Sequence, residues 1–211
     1  DLHLSLRRQR QMCIRDSAEA YPDLEPRFVE EQTQHLITRL RNGNLDLAIM
    51  ALPSEATGMV DSPLYTEKFS IVCPPDHPIA GREDVELAEL KDLDLLLLDD
   101  GHCLRDQVVD LCRHANINPA EATNSVTRAS SLTTIMQLVM GGLGCTLVPE
   151  SALATECHGK DVAIAHFASD VTAEREVGLV FRSSAARSEE FREFGTLITS
   201  AYNKAIERSR Q

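Results

Sequence analysis

Several things are scarce in this chain, and each scarcity narrows what it does. No apolar run approaches the roughly 18 residues of a membrane-spanning helix, and no charged start leads into a signal-like apolar stretch, so the expected setting is the cytoplasm with no membrane contact. Positive charge is in short supply: 21 basic against 33 acidic residues give a net charge of -12. Such a surface repels phosphate backbones, so this piece alone is not expected to grip nucleic acid. The six cysteines, at 13, 73, 103, 112, 145 and 157, are too few and too irregular for a disulfide scaffold in 211 residues. In a reducing compartment a cystine among them would be transient and regulatory. Internal repeats and low-complexity tracts are missing. No cofactor or metal site is expected either. Cys157 beside His158 lacks a second pair at zinc-like spacing, and "GGLG" follows a helix and precedes a strand, the reverse of a dinucleotide fingerprint.

What is present is an alternation of helices with short buried strands. "EEQTQHLITRLRNGNLDLAIMAL" reads as a helix carrying Leu36, Ile37 and Leu40 on one side, a stop at Asn42 and Gly43, and a strand from Leu45 to Leu52. "FSIVCPP" is a second strand, ended by its prolines, and "LDLLLLDD" a third. "SLTTIMQLVMGGLGCTLVP" is helix, glycine stop and strand, with Ser130 or Ser131 as cap and Cys145 inside the strand. "EVGLVF" is a late strand, and Glu189 to Arg208 a polar-faced terminal helix. Strands interleaved with helices predict α/β layers with largely parallel pairing.

The first seventeen residues differ from the rest. "RRQRQMCIRD", Arg7 to Asp16, has no apolar period and spells the translation of a transposon-end sequencing adapter, so residues 1–17 are expected to be foreign to the fold.

One segment stands out chemically: "DDGHCLRDQVVDLCRHA", Asp99 to Ala115. Asp99 or Asp100 is placed to cap a helix, Gly101 loosens its entry, and Leu104, Val108 and Leu111 recur at helical spacing with Cys112 on the same face. A cysteine on an apolar stripe is ordinarily a small core residue. Cys103 is different, standing in the first turn beside His102 and Arg105. There the unpaired amides and positive dipole end favour a thiolate, as do Arg105 and a protonated His102. Cys73 and Cys145 lie in apolar strands and read as core; Cys157 reads as a loop thiol.

The segments "LRNGNLDLAI", "PLYTEKFSIVCPPDHPIA", "LAELKDLDLLLLDDG", "SLTTIMQLVMGGLGCTLVPESAL" and "GLVFR" together resemble the effector-binding domain of LysR-type transcriptional regulators. Within that family, "DGHCLRDQ" with a second cysteine nine residues on resembles the OxyR-type hydrogen-peroxide sensors, and "EEQTQHL" resembles the segment that supplies a pocket threonine, here Thr33.

The resemblance implies a two-lobed, periplasmic-binding-protein-like α/β fold. Residues 18–66 and 172–211 would form the first lobe and 67–171 the second. It also implies a reversible Cys103–Cys112 disulfide, with Cys103 reacting with peroxide and Cys112 resolving. Thr33 would hydrogen-bond the peroxide, Asp106 would orient or balance Arg105, and His102 and Arg175 would lie near the pocket. A solvated charge at a strand entry is an equally open reading of Arg175. The implied partners are hydrogen peroxide and thiol reductants of the glutaredoxin or thioredoxin type. DNA and RNA polymerase would be reached only through a winged helix-turn-helix that this sequence does not contain, in a dimer or, at full length, a tetramer. The domain's first strand and helix are likewise unmatched. Such a sensor reacts stoichiometrically and is not an enzyme.

If residues 103–112 form one helix, nine steps of about 100° turn the two side chains to opposite faces and separate their Cα atoms by roughly 13 Å. A disulfide needs about 7 Å or less, so the bond would require the helix to unwind. Two other readings use the same scaffold or the same thiol: a LysR domain that binds a small metabolite between its lobes with both cysteines silent, and a thiol peroxidase. A transport-type solute-binding protein shares the bilobal plan but would carry an export signal.

Overall fold

The computed structural model describes residues 27–100, 102–118 and 123–209. The adapter-like segment 1–17, the expected start of the first lobe at residue 18, and Gly101 lie outside them. The described chain divides into two compact units, Lys68–Glu174 and a second unit formed by the residues before Lys68 with those from Arg175 onward.

In the second unit, helix α1 spans Thr33–Arg41 and buries Ile37 and Leu40. It stops where the sequence places the stop. Gly43, at φ +74°, takes the left-handed turn, and the amides of Asn42, Gly43 and Asn44 satisfy the carbonyls of Thr38, Leu40 and Arg39. Arg182 adds a second closure, its guanidinium donating to the carbonyls of Leu40 and Leu45. Strand β1 (Leu47–Leu52) follows and pairs antiparallel with β7 (Glu174–Arg182), Leu47 facing Phe181 and Leu52 facing Glu176. Strand β2 (Met59–Cys73) lies on the other side of β7. Helix α5 (Ser188–Ser209) covers this sheet, with Phe191 and Ile198 packed among Leu179 and Phe181.

Residues 68–174 hold the larger core. The end of β2 pairs antiparallel with β5 (Thr146–Pro149) on one side and β6 (Ala163–His166) on the other. Strand β3 (Leu95–Leu98) pairs in parallel with β4 (Thr123–Ala129). Helices α2 (Cys103–His114), α3 (Leu132–Met140) and α4 (Glu150–Glu156) bury apolar faces in the same cluster. Ser131 caps α3, its hydroxyl accepting from the Thr134 amide at 3.1 Å, as the sequence leads one to expect. Replacing it with Ala removes one satisfied amide at an exposed helix start. A loss of about 1 kcal/mol in urea unfolding is expected, and a loss below a few tenths would mean the cap is dispensable.

Strand direction and the extent of β2 both differ from what the sequence pattern predicts. Parallel pairing holds for β3–β4, whereas β1–β7, β2–β5 and β2–β6 are antiparallel. An apolar run reports burial on both faces of a strand, which is common in parallel sheets but does not fix the neighbour's direction. Strand β2 also begins ten residues earlier than "FSIVCPP" suggests, because its first half alternates polar and apolar residues on a partly exposed surface.

Candidate redox site at the mouth of helix α2

Helix α2 is continuous from Cys103 to His114. Its stripe of Leu104, Val108, Leu111 and Cys112 is buried, and Cys112 is wholly removed from solvent. Cys103, the first helical residue, is half-buried. Both thiols are free. Nine residues of unbroken helix separate their Cα atoms by about 13.5 Å along the axis, about twice the reach of a disulfide. The α-helical ladder and the packed stripe hold them apart. Burying Leu104, Val108 and Leu111 contributes about 1.5–3 kcal/mol each, so the spacing does not relax unaided.

The mouth of α2 differs from the expectation in three respects. Neither Asp99 nor Asp100 caps it. The capping position falls to His102, in extended conformation, whose carbonyl accepts from the amides of Arg105 and Asp106 and whose side chain makes no capping bond. The Asp99 amide instead donates to the Ala129 carbonyl, drawing that residue into the β3–β4 pairing. His102 does not supply the positive charge expected of it, since burial pushes its imidazole below the ordinary 6.5 and leaves it neutral at neutral pH. Arg105, finally, is held by two carboxylates, Asp100 at 2.8 Å and Asp106 at 3.5 Å. Asp106 beside Arg105 follows from their adjacency in sequence. Asp100, the nearer partner, escaped the sequence reading because it lies outside the helix and five residues from Arg105, where no periodicity points.

The His102 shift has a measurable sign. A group that binds its proton less readily in the folded protein than in the unfolded chain destabilises the fold wherever the unfolded chain is protonated. Stability is therefore full above about pH 6.5 and declines as pH falls through that value towards the lower folded one. Thermal midpoints recorded between about pH 5 and 7 should show this decline, and His102→Asn should flatten it. An unchanged slope in the variant would assign the decline to other groups.

The cysteines divide by environment. Burial raises the Cys112 thiol above its ordinary value of 9.0, so it is protonated at neutral pH and poorly suited to open an attack. Cys73 is raised in the same way, and Cys145 and Cys157 are both pushed up to about 12 by burial. Cys157 is not the open loop thiol the sequence suggested. It terminates α4 and packs against the core.

The other two residues singled out in the sequence belong to the second unit. Thr33 is the half-buried first residue of α1. Arg175 is not solvated: it is buried, and its Nε donates to Glu67 Oε1 at 2.8 Å while Nη2 reaches the same oxygen. Glu67, 1% exposed, was missed altogether. A lone acid among polar strand residues gives no sign that it will be buried.

Comparison with known proteins places this arrangement. The family profile described as LysR substrate binding domain matches residues 13–203. The chain belongs to that family. Among curated LysR relatives, a probable hydrogen peroxide-inducible genes activator of Mycobacterium avium is 48% identical over 181 residues, which are 86% of this chain and 57% of that protein. The DNA-binding transcriptional dual regulator OxyR of Escherichia coli K12 is 37% identical over 164 residues, 78% of this chain and 52% of that protein. The chain thus spans little more than half the length of these relatives. Among solved structures, a cysteine-to-serine variant of Corynebacterium glutamicum OxyR with hydrogen peroxide bound shares 55% identity, with a TM-score of 0.93 over 97% of this chain and 63% of that one. A reduced form of OxyR gives a TM-score of 0.78 at 31% identity, covering 90% and 87%. Among the described residues no helix is long and apolar enough to cross a membrane.

Proposed function

We propose that this chain is the peroxide-sensing regulatory domain of a LysR-type transcriptional regulator, and that Cys103 and Cys112 are its redox pair. One observation carries the reading: a single unbroken helix holds an accessible thiol at its mouth and a buried, protonated thiol nine residues on. The names of the relatives, hydrogen peroxide-inducible genes activators among them, support the choice of oxidant.

In this reading the Cys103 sulfur attacks one peroxide oxygen and the O–O bond breaks, leaving a sulfenic acid and releasing the second oxygen as water. Thr33 donates to the peroxide, while Arg105, balanced by Asp106, and His102 and Arg175 shape its surroundings. The Cys112 sulfur then displaces the sulfenic hydroxyl, which leaves as a second water, and the disulfide forms. Because the two sulfurs cannot meet across folded α2, the bond forms only as that helix unwinds. A thiol reaction thereby becomes a change of shape that an attached DNA-binding domain can read. Thiol reductants of the glutaredoxin or thioredoxin type reset the pair, so each chain reacts once per cycle and is not an enzyme. The full-length protein would act in the cytoplasm as a dimer or tetramer on DNA and RNA polymerase.

The test is peptide mapping under non-reducing conditions after mild peroxide treatment, with far-ultraviolet circular dichroism on the same samples. A Cys103–Cys112 bridge accompanied by loss of helix is expected. Oxidation confined to surface sulfur with the helix intact would favour the metabolite-binding alternative, and many turnovers per chain with reductant present would favour a peroxidase.

A further inference from the structure

Cys73 and Cys145 each looked like an isolated core cysteine. The strand register makes them a pair. In the antiparallel β2–β5 ladder Phe69 faces Pro149, Ser70 faces Val148, Ile71 faces Leu147 and Val72 faces Thr146. One more step along both strands puts Cys73 opposite Cys145.

The backbone defines what kind of step it is. The Cys145 amide donates to the Asp94 carbonyl at 2.9 Å and its carbonyl accepts from the Leu96 amide at 2.8 Å, so both of its main-chain groups turn towards β3 and away from β2. Cys73 pairs on its other side with Ala163 of β6, and the next residue, Pro74, has no amide with which to extend the ladder towards β5. Cys73 and Cys145 therefore occupy a non-hydrogen-bonded cross-strand position, where facing Cα atoms lie about 4.5 Å apart and side chains approach most closely. That separation falls within the range of about 4.4–6.8 Å that a disulfide spans. The proximity also registers electrostatically: charge on Cys73 contributes to the upward push on the Cys145 thiol, after the larger effect of burial. Gly144 fixes the position from behind, because a Cβ there would stand 2.2 Å from the Asp94 carbonyl oxygen and force Cys145 off β3.

Both thiols are wholly buried and protonated at neutral pH, and both are free. They share one apolar cluster with Leu104, Val108, Leu111 and Cys112 of α2. Helix α2 packs on β3, and β3 is the strand that Cys145 bridges. Helices α3 and α4 cover β5 directly, and α2 closes the same apolar core from β3, so unpacking α2 loosens the core that encloses both thiols.

We propose that Cys73 and Cys145 are a second redox pair, closed to peroxide while α2 is packed and converted to a cross-strand disulfide once α2 unpacks. The stoichiometry is that of the first pair. One peroxide accepts two electrons, one thiol passes through a sulfenic acid, the second displaces its hydroxyl, and two waters leave. Each pair consumes its own peroxide. The second bridge staples β2 to β5, so a chain exposed to more oxidant needs two reductions instead of one to return. The gating in the native chain rests on the sensor reading above; the cross-strand pairing does not.

The test separates them. In a Cys103→Ser/Cys112→Ser background the first bridge is impossible. There, the rate of Cys73–Cys145 bridging by hydrogen peroxide is read by non-reducing peptide mapping, with and without Val108→Pro, which breaks α2 within its buried stripe. Bridging about tenfold faster or more in the Val108→Pro protein is expected. Should that substitution unfold the whole domain, the parent double variant in sub-denaturing urea gives the same comparison, with bridging accelerating before global unfolding. Failure of the two sulfurs to join in either opened state, or equal rates with α2 packed and unpacked, would overturn the proposal. Wild-type protein that never forms the Cys103–Cys112 bridge, alongside rapid Cys73–Cys145 bridging in the Val108→Pro variant, would sink the sensor reading and leave the second pair standing.

Discussion

Cys103→Ser is expected to abolish peroxide-driven bridging at α2 and to leave the far-ultraviolet spectrum unchanged by peroxide. Serine keeps the size of the side chain at a half-buried helix start, so folding should be little affected. It removes the one thiol of the pair that is not sealed in the core, and the remaining thiol, Cys112, is wholly buried and protonated. Cys112→Ser should behave differently. Cys103 still reacts but has nothing to condense with, so a sulfenic acid accumulates and can be trapped with a dicarbonyl reagent, while α2 stays folded. That variant also buries a hydroxyl in an apolar site at a cost of about 1–3 kcal/mol, visible in urea unfolding. Equal bridging in Cys103→Ser protein, or a disulfide in wild-type protein with no loss of helix, would contradict the assignment. The first would mean the wrong attacking sulfur, the second that the helix is no barrier.

The largest stability effect is expected from Arg175→Leu. Glu67 and Arg175 form a buried charged pair in the second unit, and both guanidinium contacts converge on one carboxylate oxygen. Removing the cation alone leaves the carboxylate in a dry site without its guanidinium, for which about 3–5 kcal/mol is typical. Replacing both partners, as Glu67→Met with Arg175→Leu, removes both desolvation costs and should restore most of that loss. The double-mutant cycle distinguishes this from a packing defect, because two independent apolar losses would add. The location makes the pair more than a stability matter. Glu67 and Arg175 are the residues at which the chain leaves and re-enters the second unit, on strands β2 and β7. The Arg175→Leu variant should therefore lose cooperativity in that unit first, which hydrogen exchange would report in β1, β7 and α5.

How much of this was readable from the residues depends on the range over which the determining interaction acts. Helix α2 was legible because the information is local: Leu104, Val108, Leu111 and Cys112 fall on one stripe at the helical period, and tertiary packing agrees with it. The Ser131 cap and the Gly43 stop are local for the same reason, each satisfying backbone groups three or four residues away. Strand identity was legible in "LDLLLLDD" and "EVGLVF", but strand direction was not. Polar alternation hid the first half of β2.

The separation of Cys103 from Cys112 in folded α2 follows from the amino-acid order, since helical rise and twist are properties of the backbone and nine helical steps allow one distance. Everything that depends on partners distant in sequence was decided by the tertiary structure. Burial neutralises His102, Asp100 rather than a free solvent shell holds Arg105, Glu67 claims Arg175 across 108 residues, and the β2–β5 register sets Cys73 against Cys145. A sequence states which groups are present and how its local backbone repeats. Desolvation and cross-strand pairing exist only once distant segments have met.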